Sequence, residues 1–400
     1  MKRSIIITVV CVLASILSAG AQSRFLPEPL PGDSGITISL LTCAPGSDIY
    51  ELEGHSGLRM QYAGVDITAN WGLFDFASPG FVYRFVRGET DYSVGVCSTL
   101  QFVEAYRRHG RRVTEQVIDL SPQQAARVIE LVEENLQPEN RIYRYNYVKD
   151  NCATRPLSVI EHALGDSVTF TTTATQLGVS PTFRSEMRYF HRNYPWYQFG
   201  IDLALGSGLD YTIATRETIF APAILQQLAA SATIAGPQGT KPLVKATEIL
   251  APGPEEGPIE EPTPWYLTPL FVSSLILAAA LVISLRDLRR HKISRWFDAL
   301  LFGAFGLDGI IIAFLVFVSV HEASSPNWLL MWLNPFCLLV PLTQWIGRLK
   351  KIALGYHYYN AAATMILALI FIFGIQTPNA AFFPFMAAGF LRSAVSIKNR

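Results

Sequence analysis

Hydrophobic and polar positions follow two different patterns along the chain. Between residues 36 and 165, short apolar stretches alternate with polar positions and turn residues, which predicts strands mixed with helices. The clearest helix begins after Ser121, with Pro122 in its first turn and Gln124 at the capping-box position. From Trp265 onward, long apolar runs follow one another. We therefore expect an α+β domain followed by an all-α transmembrane bundle.

The apolar runs have the length of membrane spans. At ~20 residues for ~30 Å of hydrocarbon, the first four are adequate spans and the fifth is shorter. The five expected spans are about 265–285, 296–320, 328–346, 352–375 and 380–395. Ten Lys and Arg residues lie in alternate connections and at the C-terminus, whereas the opposite connections, 321–327 and 376–379, have none. Because basic connections stay in the cytoplasm, we expect a multi-pass protein with a cytoplasmic C-terminus.

Composition agrees with this division. Charged residues make up 16% of the chain, against about 25% in ordinary soluble proteins. Before Thr263, Lys and Arg number 21 against 28 Asp and Glu; from Thr263 onward they number 11 against four. This distribution excludes a single soluble globule. It also argues against a nucleic-acid partner, which would require a basic patch on a soluble face.

The N-terminus, residues 1–21, has the pattern of a secretory signal peptide. Lys2 and Arg3 precede an apolar stretch, and Ala19-Gly20-Ala21 offers the small residues that a signal peptidase needs. An uncleaved membrane helix is the alternative, but the apolar stretch is short for a span. We expect cleavage before Gln22 and export of the domain that follows to the periplasm of a bacterial inner membrane.

We expect three parts in the mature chain. An exported catalytic domain covers 22–235, and a transmembrane domain covers 265–400. Between them, residues 236–264 are rich in Pro, Gly and Glu, a composition that cannot bury a core. This segment is therefore expected to be an extended linker.

Cys152 has the sequence environment of a nucleophile. We expect a helix to begin at Cys152, where the peptide dipoles lower the pKa of a thiol and amide N–H groups can bind an oxyanion. The exported domain also contains Cys43 and Cys97, an odd total of three cysteines in an oxidising compartment. These two are expected either as small buried hydrophobic residues or as a mutual disulfide.

Four histidines of the exported domain are candidates for the base that deprotonates Cys152. His109 lies at a helix end beside arginines, and His191 lies in an aromatic, basic helix. His162 follows Cys152 by ten residues on the same expected helix, which is too far along the axis to reach it. Only His55 lies on an expected strand between glycines, which leave room for another group to approach. We therefore expect His55 to be the partner of Cys152.

A third polar group should orient the imidazole of His55. Both Asn70 and Asp66 are candidates, and the spacing does not choose between them; we favour Asn70. No His, Cys and Asp cluster has zinc-like spacing, and no Gly-rich loop opens a helix after a strand. We therefore expect neither a metal nor a nucleotide cofactor.

Clustered motifs cover nearly the whole mature chain. They are Thr42–Gly46, Gly54–Arg59, Asn70–Phe76, Arg87–Tyr92, Pro138–Tyr147, Asp150–Arg155, Pro195-Trp196, Gly200–Gly206 and Asn327–Pro335. Together they resemble the Bacteroides-type lipoprotein N-acyltransferase family, Lnb. A His that precedes Asn-Cys by roughly a hundred residues is also similar in order to circularly permuted papain-like folds, as in NlpC-like proteins and lecithin:retinol acyltransferase.

The resemblance to Lnb implies acyl transfer to the N-terminal amine of lipoproteins, with His55 and Cys152 as the matched catalytic positions. A phospholipid would donate the acyl chain through a thioester on Cys152, and a diacylglyceryl lipoprotein would accept it. Two other functions remain open. The same pair of residues could serve a peptidase or amidase acting on cell-wall peptides, or the protein could be a non-catalytic membrane receptor.

Five further residues are candidates for contacts with a substrate. They are Asn151, Arg59, Arg155, His321 and Asp308. Asp308 is an ionisable group in the second expected span and so a functional candidate by default, with a structural hydrogen bond between helices as the alternative. His321 lies on an external connection, where it could meet a lipid head group or the exported domain.

Overall fold

The computed structural model describes residues 24–28, 35–165, 167–173, 175–178, 182–236, 239–257 and 261–399. The expected signal peptide lies outside these residues. The chain forms two compact units. The first unit is the chain up to Phe85 with Glu89–Phe190 and Thr212–Glu260, and the second is Val86–Gly88, His191–Tyr211 and the chain from Glu261 onward.

The described strands belong to the first unit. They are β1 (Thr37–Cys43), β2 (His55–Tyr62), β3 (Val65–Leu73), β4 (Asp91–Ser98), β5 (Val113–Ile118), β6 (Ile142–Arg144), β7 (Thr169–Phe170), β8 (Ala232–Gly236), β9 (Gly239–Pro242) and β10 (Val244–Ala251). Seven of them form one antiparallel sheet in the order β10-β5-β1-β2-β3-β4-β6, and β7, β8 and β9 form a small second sheet.

Helices occur in both units. They are α1 (Phe81–Arg87), α2 (Thr99–Arg107), α3 (Pro122–Leu136), α4 (Thr154–Ala163), α5 (Phe183–Phe190), α6 (Pro195–Ala204), α7 (Pro222–Ser231), α8 (Pro269–Arg290), α9 (Arg295–Phe317), α10 (Leu339–Thr343), α11 (Lys350–Ile372) and α12 (Phe382–Lys398). The capping box expected at the start of α3 is formed, with Ser121 and Gln124 each bonding the backbone of the other.

Helices cover both faces of the large sheet. On one face, Phe102 of α2 packs against Leu41 and Val113. On the other face, Trp71 donates a hydrogen bond to Asn135 of α3, and α4 and α7 also contact this side of β2 and β1. The mixture of helices and strands expected for the exported half is therefore present. Because the sheet is buried on both sides, six of the seven residues of β1 are buried.

The expected linker is shorter than its composition indicated. Residues 239–251, inside the expected spacer, form β9 and β10, and β10 pairs with β5 of the large sheet. The backbone hydrogen bonds to β5 hold this strand although most of its side chains are exposed. An edge strand needs few apolar residues, so composition could not distinguish it from a spacer. The Pro- and Glu-rich run is confined to 252–264.

The second unit is helical. Among the described helices, α8 and α9 are long and apolar enough to cross a membrane. α11 has 23 residues and α12 has 17. The third expected span, 328–346, is not one helix: two 3-10 turns precede the short α10. Asn334 is extended, because the proline that follows it disfavours a helical residue before it. Pro335 also lacks the N–H that a continuous helix would need.

Residues His191–Tyr211 belong to the second unit, although we expected them in the exported domain 22–235. This segment contains α6. Trp196 donates a hydrogen bond to the carbonyl oxygen of Leu267 at 2.7 Å, and Asn379 donates one to Asp202 at 2.8 Å. This placement was not predictable from local pattern, because α6 is short and carries both apolar and polar residues.

Candidate active site

A histidine and an asparagine meet on the sheet face covered by α2. His55 begins β2, and its Nε2 lies 2.6 Å from Oδ1 of Asn70 on β3. The ring stacks against Tyr106 of α2, with centroids 6.3 Å apart. Because the Asn70 oxygen can only accept a hydrogen bond, Nε2 carries the proton and Nδ1 is the basic nitrogen.

The other orienting candidate, Asp66, is bound elsewhere. Arg59 donates hydrogen bonds to both carboxylate oxygens of Asp66, at 2.8 and 2.6 Å, and also to Glu115. Arg59 is thus held between two carboxylates, and the structure brings Asn70 rather than Asp66 to the imidazole of His55.

Cys152 lies just before a helix instead of in its first turn. α4 begins at Thr154, and the side chain of Asn151 accepts hydrogen bonds from the N–H groups of Ala153 and Thr154. Asn151 therefore serves as the cap of α4. These two amides are occupied, so they are not the oxyanion donors that the sequence led us to expect.

The thiol of Cys152 is surrounded by other donors. Hydrogen bonding by the backbone of Ser56, by the side chain of Tyr145 and by the backbone of Cys152 lowers the pKa of the thiol. The Ser56 hydroxyl also donates to the carbonyl oxygen of Cys152 at 2.5 Å. Burial nevertheless raises the pKa of the Cys152 thiol to about 11, and the carboxylate of Glu53 adds to the rise. The expectation of a lowered pKa was wrong, because desolvation outweighs the helix dipole here.

The imidazole is also uncharged at neutral pH. Burial lowers the pKa of His55 to about 4; the hydrogen bond to Asn70 opposes the shift, and the charge of Arg111 adds to it. Ser56 lies between the two groups, since it follows His55 in sequence and its hydroxyl donates to the carbonyl oxygen of Cys152. Among the described residues, no hydrogen bond joins the Cys152 thiol to the imidazole ring of His55. The structure thus brings Cys152 to the residue beside His55 without direct contact.

Glycine 72 leaves space at the end of β3. Its φ of 90° is in the left-handed region, and a Cβ there would lie 3.5 Å from Cβ of Cys152 and 3.6 Å from the ring of Tyr145. A side chain at Gly72 would therefore crowd the thiol and its Tyr145 donor.

A second thiol lies beside the imidazole. Cys43 of β1 is directly opposite His55 of β2, so both side chains are on the same face of the sheet. The pKa of Cys43 is raised by burial, against a smaller lowering effect of Arg111. No disulfide joins Cys43 to Cys97 among the described residues. The sequence did not reveal this neighbour of His55 because strand register cannot be read from spacing alone.

The remaining candidates have other contacts. Arg155 bonds Asp150 through two nitrogens, at 2.6 and 2.7 Å, and lies over the ring of Tyr143. Asp308 is exposed on α9. In the second unit, the backbone of His321 lies close to Gly88, where a Cβ would be 3.0 Å from its nitrogen. Within the described ranges, no group of three or more His, Cys, Asp and Glu side chains could hold a metal ion.

These features define a membrane protein with an α+β domain that holds a cysteine, a histidine and an asparagine near one end of a sheet. The chain belongs to the Lnb family. It matches the Lnb N-terminal periplasmic domain over residues 33–184 and the Lnb transmembrane domain over residues 261–399. The first match contains Cys152, His55 and Asn70, and the second contains α8 to α12. No curated protein and no solved structure matches the chain.

Membership of this family has two consequences. The first unit contains a periplasmic domain, and the second contains a transmembrane domain. The chain is therefore an inner-membrane protein of a family associated with the modification of lipoproteins.

Proposed function

We propose that the protein is a cysteine-dependent acyltransferase. It moves an acyl chain from a phospholipid, through a thioester on Cys152, to the N-terminal amine of diacylglyceryl lipoproteins at the periplasmic face. The observation that carries the proposal is the hydrogen bond from His55 to Asn70, in a domain where the hydroxyl of the next residue, Ser56, donates to the carbonyl oxygen of Cys152. All three residues lie within the matched Lnb periplasmic domain.

The first half-reaction forms the thioester. The sulfur of Cys152 attacks the ester carbonyl of the phospholipid while Nδ1 of His55 takes the thiol proton. The tetrahedral oxyanion accepts hydrogen bonds from the backbone N–H groups of Ser56 and Cys152. The carbon–oxygen bond then breaks, and His55 returns the proton to the departing alcohol, which leaves as a lysophospholipid.

The second half-reaction forms the amide. The α-amine of the lipoprotein attacks the thioester carbonyl, and the same N–H groups bind the oxyanion. His55 accepts a proton from the amine nitrogen, and the carbon–sulfur bond breaks. The proton then passes to the sulfur, which restores the thiol of Cys152. An amide is more stable than a thioester, so the transfer is favourable.

The resting charge states of Cys152 and His55 decide when the thiol proton is transferred. With the pKa of His55 near 4 and that of Cys152 near 11, a thiol and a neutral imidazole are the resting forms at pH 7. The thiol is therefore deprotonated as it attacks, and not beforehand. The proposal requires Nδ1 to meet the thiol when substrate binds, and catalytic hydrogen bonds often tighten only in the substrate complex.

The order of the elements supports a permuted papain-like fold for the periplasmic domain. His55 begins a strand, Asn70 lies on the adjacent antiparallel strand, and Cys152 precedes a helix that contacts β2. This is the order that the sequence led us to expect for a cysteine, histidine and asparagine triad in such folds.

We also propose five membrane crossings with a cytoplasmic C-terminus. The basic residues at the end of α8 and at the start of α11 support a cytoplasmic location for these ends. The chain must then cross the membrane between the end of α9 and the start of α11, and the interrupted segment 328–346 is the part available for it. A periplasm-dependent reporter fused to the C-terminus should be inactive, and an active one contradicts this topology.

Mass spectrometry of lipoproteins tests the enzyme assignment. We expect Cys152→Ala and His55→Ala to reduce N-acylation at least about 10²-fold, because both the nucleophile and the base are needed. Cys43→Ala is the matched control, since it removes the other thiol beside His55. In the wild-type protein, Cys152 should carry a fatty acyl group that hydroxylamine removes.

Two outcomes separate this proposal from its alternatives. Full N-acylation of lipoproteins in a Cys152→Ala strain would end the assignment. Loss of acylation in Cys43→Ala but not in Cys152→Ala would move the nucleophile to Cys43. Release of peptides from purified murein by the wild-type protein, absent with Cys152→Ala, would indicate a hydrolase instead.

A further inference from the structure

An exposed apolar patch lies on the first unit. It consists of Ile49, Tyr50, Phe76, Val82, Tyr83 and Phe85, which we call the α1 patch. Each of these side chains is about half exposed or more, and Val82 is 73% exposed. Soluble surfaces rarely group so many large apolar side chains, and such groups mark sites of interaction.

A continuous series of aromatic rings leads from the α1 patch to the site. The rings of Phe76 and Phe74 are 4.5 Å apart, and those of Phe74 and Tyr92 are 5.1 Å apart. Tyr92 stacks on Tyr145 at 4.1 Å. Tyr145 and Cys152 lie on either side of Gly72, where a Cβ would be 3.6 Å from the Tyr145 ring and 3.5 Å from Cβ of Cys152. The series therefore ends at the candidate nucleophile.

A second branch of rings comes from α1. Phe81 lies 5.0 Å from Phe76 and 5.8 Å from Phe74, and Phe85 lies 6.0 Å from Phe81. The branch connects the exposed side of α1 to the same series. The rings offer an apolar wall from the surface to Tyr145, with Phe74 and Tyr145 only half-buried.

A positive charge lies inside the patch. Arg84 is on α1 between Tyr83 and Phe85, and its Nη2 donates to Ser78 at 2.8 Å. Its Nε is buried and has no hydrogen-bond partner among the described residues. Aromatic and aliphatic side chains around an arginine are typical of surfaces that meet lipid acyl chains and phosphate groups together.

We propose that the α1 patch binds one phospholipid of the outer leaflet, whose acyl chain lies along the aromatic series toward Cys152. Arg84 faces the phosphate group of this lipid. The inference rests on the proposed function, and it assigns the surface by which the acyl donor enters. An acyl chain fits because the series offers rings without charged groups, whereas a cell-wall peptide or sugar would need polar partners.

Photo-crosslinking tests this surface without any chemistry at Cys152. The full chain with Cys152→Ala is placed in vesicles of phosphatidylethanolamine and phosphatidylglycerol that contain a phospholipid with a diazirine on its acyl chain. After irradiation, mass spectrometry locates the crosslinked residues. We expect crosslinks within 76–85, accompanied by crosslinks at Ile49, Tyr50 or the aromatic series. Crosslinks in the first unit that avoid both the α1 patch and the aromatic series would overturn the proposal.

Matched variants measure the contribution of the patch. Val82→Ser with Phe85→Ser should lower the crosslink yield at Phe76 about tenfold, because two apolar contacts with the lipid are lost. Leu100→Ser is the control, since Leu100 on α2 is 74% exposed and lies outside the patch. An unchanged yield in the double variant would contradict the proposal. Should the double variant fail to fold, Val82→Ser alone gives the same comparison.

The two proposals fail in different ways. Crosslinks at the α1 patch of Cys152→Ala, without an acyl thioester on the wild-type protein, would keep the lipid surface and reject the acyltransferase. A thioester on the wild-type protein without crosslinks in the α1 patch or the aromatic series would keep the enzyme and reject this entry surface.

Discussion

Arg59 in the periplasmic unit and Arg392 in the transmembrane unit each bind two carboxylates. In the periplasmic unit, Arg59 bonds Asp66 and Glu115, and its side chain is 14% exposed. In the transmembrane unit, Arg392 is fully buried and bonds Asp298 at 2.6 Å and Asp287 at 2.8 Å. The chemistry is the same, but the surroundings differ.

The two sites differ in whether water can solvate the carboxylates when the arginine is removed. Asp66 is 42% exposed, so water can solvate its carboxylate if Arg59 is removed. The partners of Arg392 have 0 and 4% of their side-chain surface exposed. An exposed ion pair contributes little to stability, whereas a buried charge without its partner is costly. Arg392 also joins three helices, because its partners lie on α8 and α9 and it lies on α12.

The largest expected effect is at Arg392. Arg392→Met leaves Asp287 and Asp298 buried beside each other without a cation, and we expect a loss of ~3–5 kcal/mol. The thermal midpoint of the detergent-solubilised protein and its yield as a monodisperse species measure this loss. Arg348→Met, which changes an exposed arginine of the same unit, is the control. Equal midpoints for the two variants would show that the buried cluster does not hold the helices.

His55 contrasts with both arginines, because the structure keeps it uncharged. The pKa of His55 in the folded chain, about 4, lies below its ordinary value of 6.5. Between these values, the unfolded chain binds a proton at His55 and the folded chain does not. Stability should therefore be unaffected well above pH 6.5 and fall by about 3 kcal/mol as the pH decreases to 4. Unfolding of the wild-type protein and of His55→Gln at several pH values measures this. A wild-type decline no steeper than that of the variant would contradict the lowered pKa.

A smaller effect is expected at Arg59. Arg59→Met leaves Glu115, whose side chain is 4% exposed, without its cation, and we expect a loss of about 2 kcal/mol. The double variant with Glu115→Gln should recover part of it, because the amide needs no counter-charge. Chemical denaturation of the full chain tests both variants. Further destabilisation by the second substitution would show that Glu115 is stabilised by groups other than Arg59.

The smallest expected effect is at Asp66. Asp66→Asn removes one half-exposed partner of Arg59, and we expect a change of ~0.5 kcal/mol in stability. Acylation of lipoproteins should be unchanged, whereas Asn70→Ala should reduce it about tenfold or more, because the imidazole of His55 loses its orienting partner. The ratio of the two activities is the measurement. A greater loss in Asp66→Asn would exchange the roles of these two residues.

The sequence predicted best those features that depend on local patterns. The capping box at Ser121 forms as expected, and the expected mixture of helices and strands is found. The third expected span is interrupted at Asn334-Pro335, as the proline there indicates, but the 3-10 turns on both sides of it are not visible in the hydrophobic pattern. The segment with α6 and the edge strand β10 depend on partners distant in the chain, which a local pattern does not contain.

Prediction of the candidate active site from local pattern has the same limit. The motifs pointed to His55 and Asn70 together, and the hydrogen bond between them follows from the register of β2 and β3. The direction of the pKa shift at Cys152 was not predictable, because burial depends on the whole fold while the dipole argument uses only the local helix. Cys43 as a neighbour of His55, and the Arg392 cluster, required strand register and helix packing.

The edge position of β10 has a further consequence for the periplasmic domain. An open strand edge can pair with strands of other chains and start aggregation. β10 carries exposed Lys245 and Glu248, and its register shifts twice along β5. The opposite edge strand, β6, has only three residues. The charges and register shifts of β10 protect one edge of this sheet from pairing with strands of other chains. The short length of β6 protects the other edge.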